Sequence, residues 1–365
     1  MKIKQVVKLL AINSFVMLAL IVIIEGISSI TLSFSRITRV PITNERKHTK
    51  YDEELGWVNI PNLHIEDMYG PGIYLKTNSQ AFRNEKDFSI NIPDRKLRLL
   101  CSGDSFTLGY GVANNRTWCY LLTTLIADLE TVNLGQGGYG IDQIYLLYKR
   151  NGLKLEHNIH IFAFITWDFS RMKSADFAGY GKPVMTLVGD KLVVDNIPIP
   201  KRSYYNPRFT QSIRFLSREL KAVEFSRAVM KRLLPKRKNS ETSERKTNQQ
   251  VQKVFAKILD DLQTMSQERD STLILVYLPV EKDYFGSKST YLWQQYVKVE
   301  AKKRGILLID LVEDLKQLSH QEIKSFFIQG DGHYSNKGNA YVADRLSKAL
   351  LTLPELRERI GPKSQ

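Results

Sequence analysis

Five short apolar runs rich in β-formers, at 97–101 (LRLLC), 131–134, 159–165 (IHIFAFI), 272–278 (TLILVYL) and 306–309, alternate with stretches of helical period at 118–129, 251–265 and 291–303. A strand that is apolar on successive residues has no wet face, so it must be covered on both sides; interleaved helices provide the cover. The pattern predicts a parallel sheet within a three-layer α/β/α sandwich. Residues 96–352 are read as this domain, and an interval at about 170–250 that breaks the rhythm is read as an insertion. The insertion is expected to carry a short hairpin around Gly189 and Asp190 and a basic helical stretch over 211–234. Its polar end at 235–250 (PKRKNSETSERKTNQQ) is expected to stay a solvated loop. Ahead of the domain, residues 36–95 are punctuated by turn formers such as Pro61-Asn62 and Gly70-Pro71-Gly72, and read as an irregular, β-rich lead-in. Residues 353–365 form a tail.

The N-terminus is of a different kind. Residues 9–24 (LLAINSFVMLALIVII) carry no charge and follow Lys2, Lys4 and Lys8. As a helix they reach roughly 24 Å, so spanning a bilayer requires Val6 and Val7 or the softer stretch 26–34 to contribute. The flanking lysines put the N-terminus in the cytoplasm and the remaining chain outside, with residues 1–35 as the transmembrane anchor in the cell membrane. Gly26 and Ser28 offer the alternative of a cleaved signal peptide. The length of the run and Glu25 beside the cut favour the anchor.

An apolar fraction of 43% with 12 prolines excludes wholesale disorder. The formal charge is +15, and residues 201–250 alone hold 14 Lys/Arg against 4 Glu, so the excess is regional. With the globular part outside the cell, this stretch is read as a contact for anionic glycan or lipid headgroups, or as a solvated basic face; nucleic acid is not expected. Of the two cysteines, Cys101 ends an apolar run and is read as a small hydrophobe, a bridge to Cys119 being the alternative. His157 and His160 form H-x-x-H without a completing carboxylate or cysteine, so no metal site is expected there, and no cofactor.

Three pieces carry chemistry. Ser102-Gly103-Asp104-Ser105 directly follows the first strand, where an open parallel sheet presents ligands and nucleophiles. Asp331-Gly332-His333 precedes an amphipathic helix over 340–351; a histidine there can deprotonate a serine while a carboxylate fixes its tautomer. The run 132–140 (VNLGQGGYG) ends the second strand with clustered glycines, which bring backbone N–H groups close to a ligand.

Together these pieces resemble the SGNH (GDSL-type) hydrolase superfamily, over residues 97 to 351 and in the family's order. The lead-in around Gly56-Trp57 and Asn78 to Arg83 resembles the segment preceding the catalytic domain in membrane-anchored bacterial members. The resemblance implies Ser105 as nucleophile, His333 as base and Asp331 as its orienting acid, with Ser105 and Gly138 as donors of an oxyanion hole. Two departures stand out. The last block has aspartate and histidine two apart rather than three. The third block has Trp167 where an asparagine amide is expected, leaving an indole N–H as substitute donor and Asp168 as an anion opposing the oxyanion. The implied activity is a membrane-anchored serine esterase removing acyl groups, such as acetyl, from an envelope or exported glycan. A glycan O-acyltransferase and an inactive glycan-binding relative are the alternatives.

The lysine asymmetry makes a direct prediction about topology. Protease added outside intact cells or spheroplasts digests the chain after Arg36 and spares the N-terminus; a globular part protected in the cytoplasm would overturn the localisation and the substrate class.

Overall fold

The computed structural model describes residues 3–37, 47–177, 180–200, 241–284 and 288–353, together with 222, 225, 226 and 229. The chain divides into two units, residues 1–42 with 203–245 and residues 43–202 with 246–365. In the first, one helix runs over Ile3–Ile37. Its segment Gln5–Thr31 is long and apolar enough to cross a membrane, and its most apolar window has no residue buried within the protein. These 27 residues reach about 40 Å as a helix, beyond the roughly 30 Å of hydrocarbon that the shorter charge-free run spans only marginally. The basic stretch at 211–234, and nearly all of 201–240, lie outside the described residues.

The second unit is built on five strands, β1 (Leu97–Ser102), β2 (Leu129–Asn133), β3 (Ile159–Phe164), β4 (Thr272–Tyr277) and β5 (Leu307–Asp310). They lie in the order β5-β4-β3-β1-β2, and every neighbouring pair is parallel. β2 begins two residues earlier than the apolar run suggests. The preceding helix stops at Leu125 and Asp128 turns the chain with a positive φ of 56°.

Side-chain alternation divides the core into two layers. Leu100, Val132, Phe162, Phe164, Leu275 and Tyr277 face the helices Ile141–Asn151, Glu241–Gln267 and Lys288–Arg304. Leu99, Cys101, Ile161, Ala163, Ile274 and Val276 face the helices Trp118–Leu125 and Asn336–Leu350. Both faces of the sheet are thus covered, as the sandwich requires. Cys101 and Cys119 fall in the same layer with Cα atoms 6.4 Å apart, and their sulfurs are bonded. This corrects the reading of Cys101 as a free small hydrophobe: it is buried, but the period-2 alternation aims it at the first turn of the covering helix.

The lead-in forms two antiparallel pairs, Thr49–Asp52 with Gly56–Asn59 and His64–Ile65 with Leu75–Lys76. In the insertion, the expected hairpin is present as Val184–Val188 against Lys191–Asp195. The polar tract differs from its expected loop. Residues 241–250 begin the helix Glu241–Gln267, because Glu, Arg, Lys and Gln lose little rotamer freedom in a helix and extend one already anchored by Val251, Val254 and Phe255.

Three histidines are buried in this unit: His48, His157 and His160. Burial lowers the pKa of each below the ordinary 6.5, that of His48 to about 4, even though hydrogen bonds to Asn59 and to the Leu155 carbonyl partly oppose it for His48 and His157. Unfolding therefore takes up protons below pH 6.5, so this contribution is intact above 6.5 and is lost as pH falls toward 4. The unfolding free energy of the full chain in detergent, measured by urea titration, should fall as pH drops from 6.5 toward 5, by up to about 1.4 kcal/mol per pH unit for each histidine. A flat profile over that interval would mean that the rings are solvated in the folded state.

Candidate active site

The turn that carries Ser105, the candidate nucleophile, is shaped by what cannot fit. A Cβ at Gly103 would run into the Thr107 side chain and approach the Ala163 carbonyl of β3, so only glycine lets the chain leave β1 this tightly. Asp104 then caps a one-turn helix, Ser105–Leu108, by accepting from Phe106 N at 2.9 Å. Ser105 is the first residue of that turn, and it is buried. It stands at the carboxyl end of β1, where the strand order reverses between β2 on one side and β3 on the other, the switch point at which open α/β sheets bind ligands.

From beyond β5, His333 reaches the same point. Its Nε2 lies 2.8 Å from Ser105 Oγ, while its Nδ1 makes a short contact with Asp331 Oδ1. With the Nδ1 proton donated to the carboxylate, Nε2 carries a lone pair able to accept a proton from the serine hydroxyl. The two-residue spacing suffices because Gly332 takes a φ of 89°, folding Asp331 back so that the same oxygen also accepts from the His333 backbone N–H at 3.2 Å. Burial would raise the Asp331 carboxyl, but the bonds to the His333 ring and backbone outweigh it and hold the group below its ordinary 3.8. Phe106 and Tyr110 flank the imidazole with ring centroids 4.9 and 4.4 Å away. Neither flanking ring announces itself in the sequence, although both fall within five residues of the nucleophile.

The glycine run forms a loop tied to this turn, since Gln136 N donates to the Gly103 carbonyl at 3.1 Å. Gly138 has a φ of 77°, and a Cβ there would collide with the Phe177 ring. Trp57 of the lead-in donates from Nε1 to the Gly137 carbonyl at 2.8 Å.

The remaining histidines lie elsewhere. His160 Nε2 is 2.9 Å from Ser102 Oγ beneath the sheet's surface, and His157 Nε2 is 3.0 Å from the Tyr148 hydroxyl. Among the described residues, no group of three or more His, Cys, Asp or Glu is arranged to hold a metal ion.

No family profile and no curated protein matches the sequence. Solved structures similar to this one include a lipolytic protein of the G-D-S-L family from Veillonella parvula DSM 2008, with a TM-score of 0.40 and 13% identity over 70% of this chain and 100% of that one. A lipase/acylhydrolase from Enterococcus faecalis has a TM-score of 0.38 and 13% identity over 74% of this chain and 100% of its own. An acetyl xylan esterase has 0.39 and 15% over 70% and 100%. What stands independently of them is the parallel five-stranded sheet covered by helices on both faces. Likenesses at this level say nothing about the reaction, which must be read from the side chains.

Trp167, placed by the sequence resemblance where an asparagine is expected, is 45% exposed, and Lys282 Nζ lies 5.3 Å from its ring centroid. Asp168 departs from the expected opposing anion. It is fully buried, it turns back to accept from Ile165 N at 3.0 Å, and burial together with the neighbouring Asp104 pushes its carboxyl well above the ordinary range. Arg171 Nη1 donates to its Oδ1 at 2.5 Å, so this carboxyl is engaged by a cation and is not a free anion facing the site.

The role of Asp331 can be isolated. In Asp331→Asn the amide cannot hold the Nδ1 tautomer, so the rate at which a fluorophosphonate modifies Ser105 should drop by about two to four orders of magnitude with the circular dichroism unchanged. An undiminished rate in the folded variant would remove Asp331 from the relay.

Proposed function

We propose that this chain is a membrane-anchored, extracytoplasmic serine esterase that removes acyl groups, acetyl foremost, from an envelope or exported glycan. The esterase part is carried by one observation, the unbroken run of hydrogen bonds from Ser105 Oγ through His333 to Asp331. Ser105 Oγ attacks the ester carbonyl as His333 Nε2 takes its proton, and the backbone N–H groups of Ser105 and Gly138 receive the oxyanion. Collapse of the tetrahedral intermediate expels the sugar hydroxyl, protonated by His333, and leaves an acyl-serine. Water, deprotonated by His333, then releases the carboxylate and restores the serine. Asp331 stays ionised throughout, orienting the ring and stabilising its charged form.

The extracytoplasmic placement is supported by the long apolar helix, by the lysines before it, and by the Cys101–Cys119 bond, since such bonds persist in oxidising compartments. A polymer outside the cell, met by a strongly basic chain, supports a glycan as the acyl carrier. A second reading, glycan binding without turnover, is favoured by Trp167 at the place of the asparagine donor.

A fluorophosphonate should label the wild type and not Ser105→Ala. Acetylated glycans should then release acetate; acetyl appearing on an added acceptor sugar instead would make the enzyme a transferase. A folded wild type that never reacts would favour the binding reading.

A further inference from the structure

One cation close to the nucleophile has no part in the serine relay. Arg171 ends the helix Thr166–Arg171, which leaves β3 at the same end of the sheet as Ser105. Its Nη1 donates to Asp104 Oδ2 at 3.0 Å, to Asp168 Oδ1 at 2.5 Å and to the Tyr139 carbonyl at 2.9 Å. Those acceptors belong to three separate segments: the nucleophile turn, the third-block turn and the glycine loop. The Asp104 oxygen that meets Arg171 is also 3.4 Å from Ser105 Oγ, so one atom separates the nucleophile from a full positive charge. The guanidinium further lies over the Phe177 ring, 5.1 Å from its centroid, and that ring is the one filling the space a Cβ on Gly138 would occupy. Arg171 therefore holds the glycine loop both through its backbone and through the ring packed on it.

We infer that Arg171 is a positioning residue for acyl transfer, pinning the Gly138 loop to the nucleophile turn and balancing the Asp104 carboxylate beside the developing oxyanion, where this chain has Trp167 in place of an asparagine. The inference rests on the serine esterase reading. Its physical content is that Asp104 is fully buried next to the attacking oxygen, where an uncompensated anion opposes any negative charge arriving on the substrate carbonyl. Asp168 joins the same cluster through its own bond from Arg171 Nη1, so one guanidinium meets both carboxyls.

The test uses the full chain in detergent, with the rate of fluorophosphonate reaction at Ser105 as the readout and ester KM and kcat alongside. Arg171→Gln and Arg171→Ala should each lower the labelling rate and kcat by about ten- to a hundred-fold, less than loss of a direct oxyanion donor, with KM unchanged. Guanidinium added below denaturing concentration should restore much of the Arg171→Ala rate, and sodium chloride at equal strength should not. Arg171→Lys keeps the charge and loses the planar fork, so it should fold and sit between wild type and Arg171→Gln. Should the neutral variants fail to fold, Arg171→Lys decides: a wild-type rate there overturns the pinning role. Wild-type rates in folded Arg171→Gln, or no rescue by guanidinium, overturn the inference and leave the esterase reading standing. A wild type that never labels overturns both.

Discussion

The contact between His333 Nε2 and Ser105 Oγ joins positions 228 residues apart in the chain, and everything that makes this site depends on those two turns being held still. A single hydrogen bond has a net worth of only about 1 kcal/mol and cannot itself hold them. Packing does. Phe106, immediately after the serine, meets Tyr334, immediately after the histidine, edge to face with centroids 4.8 Å apart. Tyr334 donates its hydroxyl to the Pro279 carbonyl at 2.6 Å, and Trp118 Nε1 donates to the Phe106 carbonyl at 3.1 Å. Asn339, in the first turn of the helix Asn336–Leu350, accepts from Trp118 N at 3.0 Å. Burying large side chains such as these contributes about 1.5–3 kcal/mol each, so the serine and histidine turns are carried by one shared piece of core.

Two buried arginines show that the lead-in belongs to the same construction. Arg98 of β1 pairs with Glu130 of β2 at 2.6 Å and donates to the carbonyls of Ser89, Ile90 and Asn91, fastening the end of the lead-in under the sheet. Arg83 is likewise buried; it donates to Asn114 Oδ1 at 2.8 Å and to the carbonyls of Leu108, Gly109 and Val112. Those carbonyls bracket Tyr110, the ring lying against His333. Burial lowers the Arg83 pKa, yet the group stays charged because arginine begins so far above neutrality. The lead-in thus shapes one wall of the imidazole site, and a change at Arg83 would be felt at a histidine 250 positions away.

What could be read from residues alone follows from how local each signal is. The strands were legible because a doubly covered strand is apolar on successive residues; Ser105, Asp331 and His333, each ambiguous in its own short turn, stood out through their order in a resemblance to a known family, and the fold brings the three side chains together. The Cys101–Cys119 bond was not legible, since it depends on which face of β1 the cysteine takes, a parity set by the register of the whole sheet. Residues 241–250 looked too polar for order, but a helix needs only one anchored end to propagate into such a tract. Arg171 and Arg83 were invisible for the same reason as the bond: an arginine reads as surface charge until the fold shows which carbonyls and carboxylates surround it.

The glycine loop brings these threads together. It is gripped from four directions: by Trp57 through the Gly137 carbonyl, by Phe177 against Gly138, by Arg171 through the Tyr139 carbonyl, and by Lys182 through the helix that follows. The last grip is a fully buried ion pair, Lys182 Nζ to Asp142 Oδ2 at 2.7 Å, with neither side chain exposed. Such pairs add little net stability, because desolvation offsets most of the attraction, whereas removing one partner strands the other. Their use here is positional. Lys182 comes from the insertion and Asp142 from the first turn of the helix Ile141–Asn151, so the pair sets the helix start, and with it the loop, against a segment that the bare sandwich does not require. Under the proposed esterase reading, with Trp167 where the resembled family has an asparagine, the oxyanion falls to backbone N–H groups, and backbone donors are only as good as the rigidity of the loop that carries them.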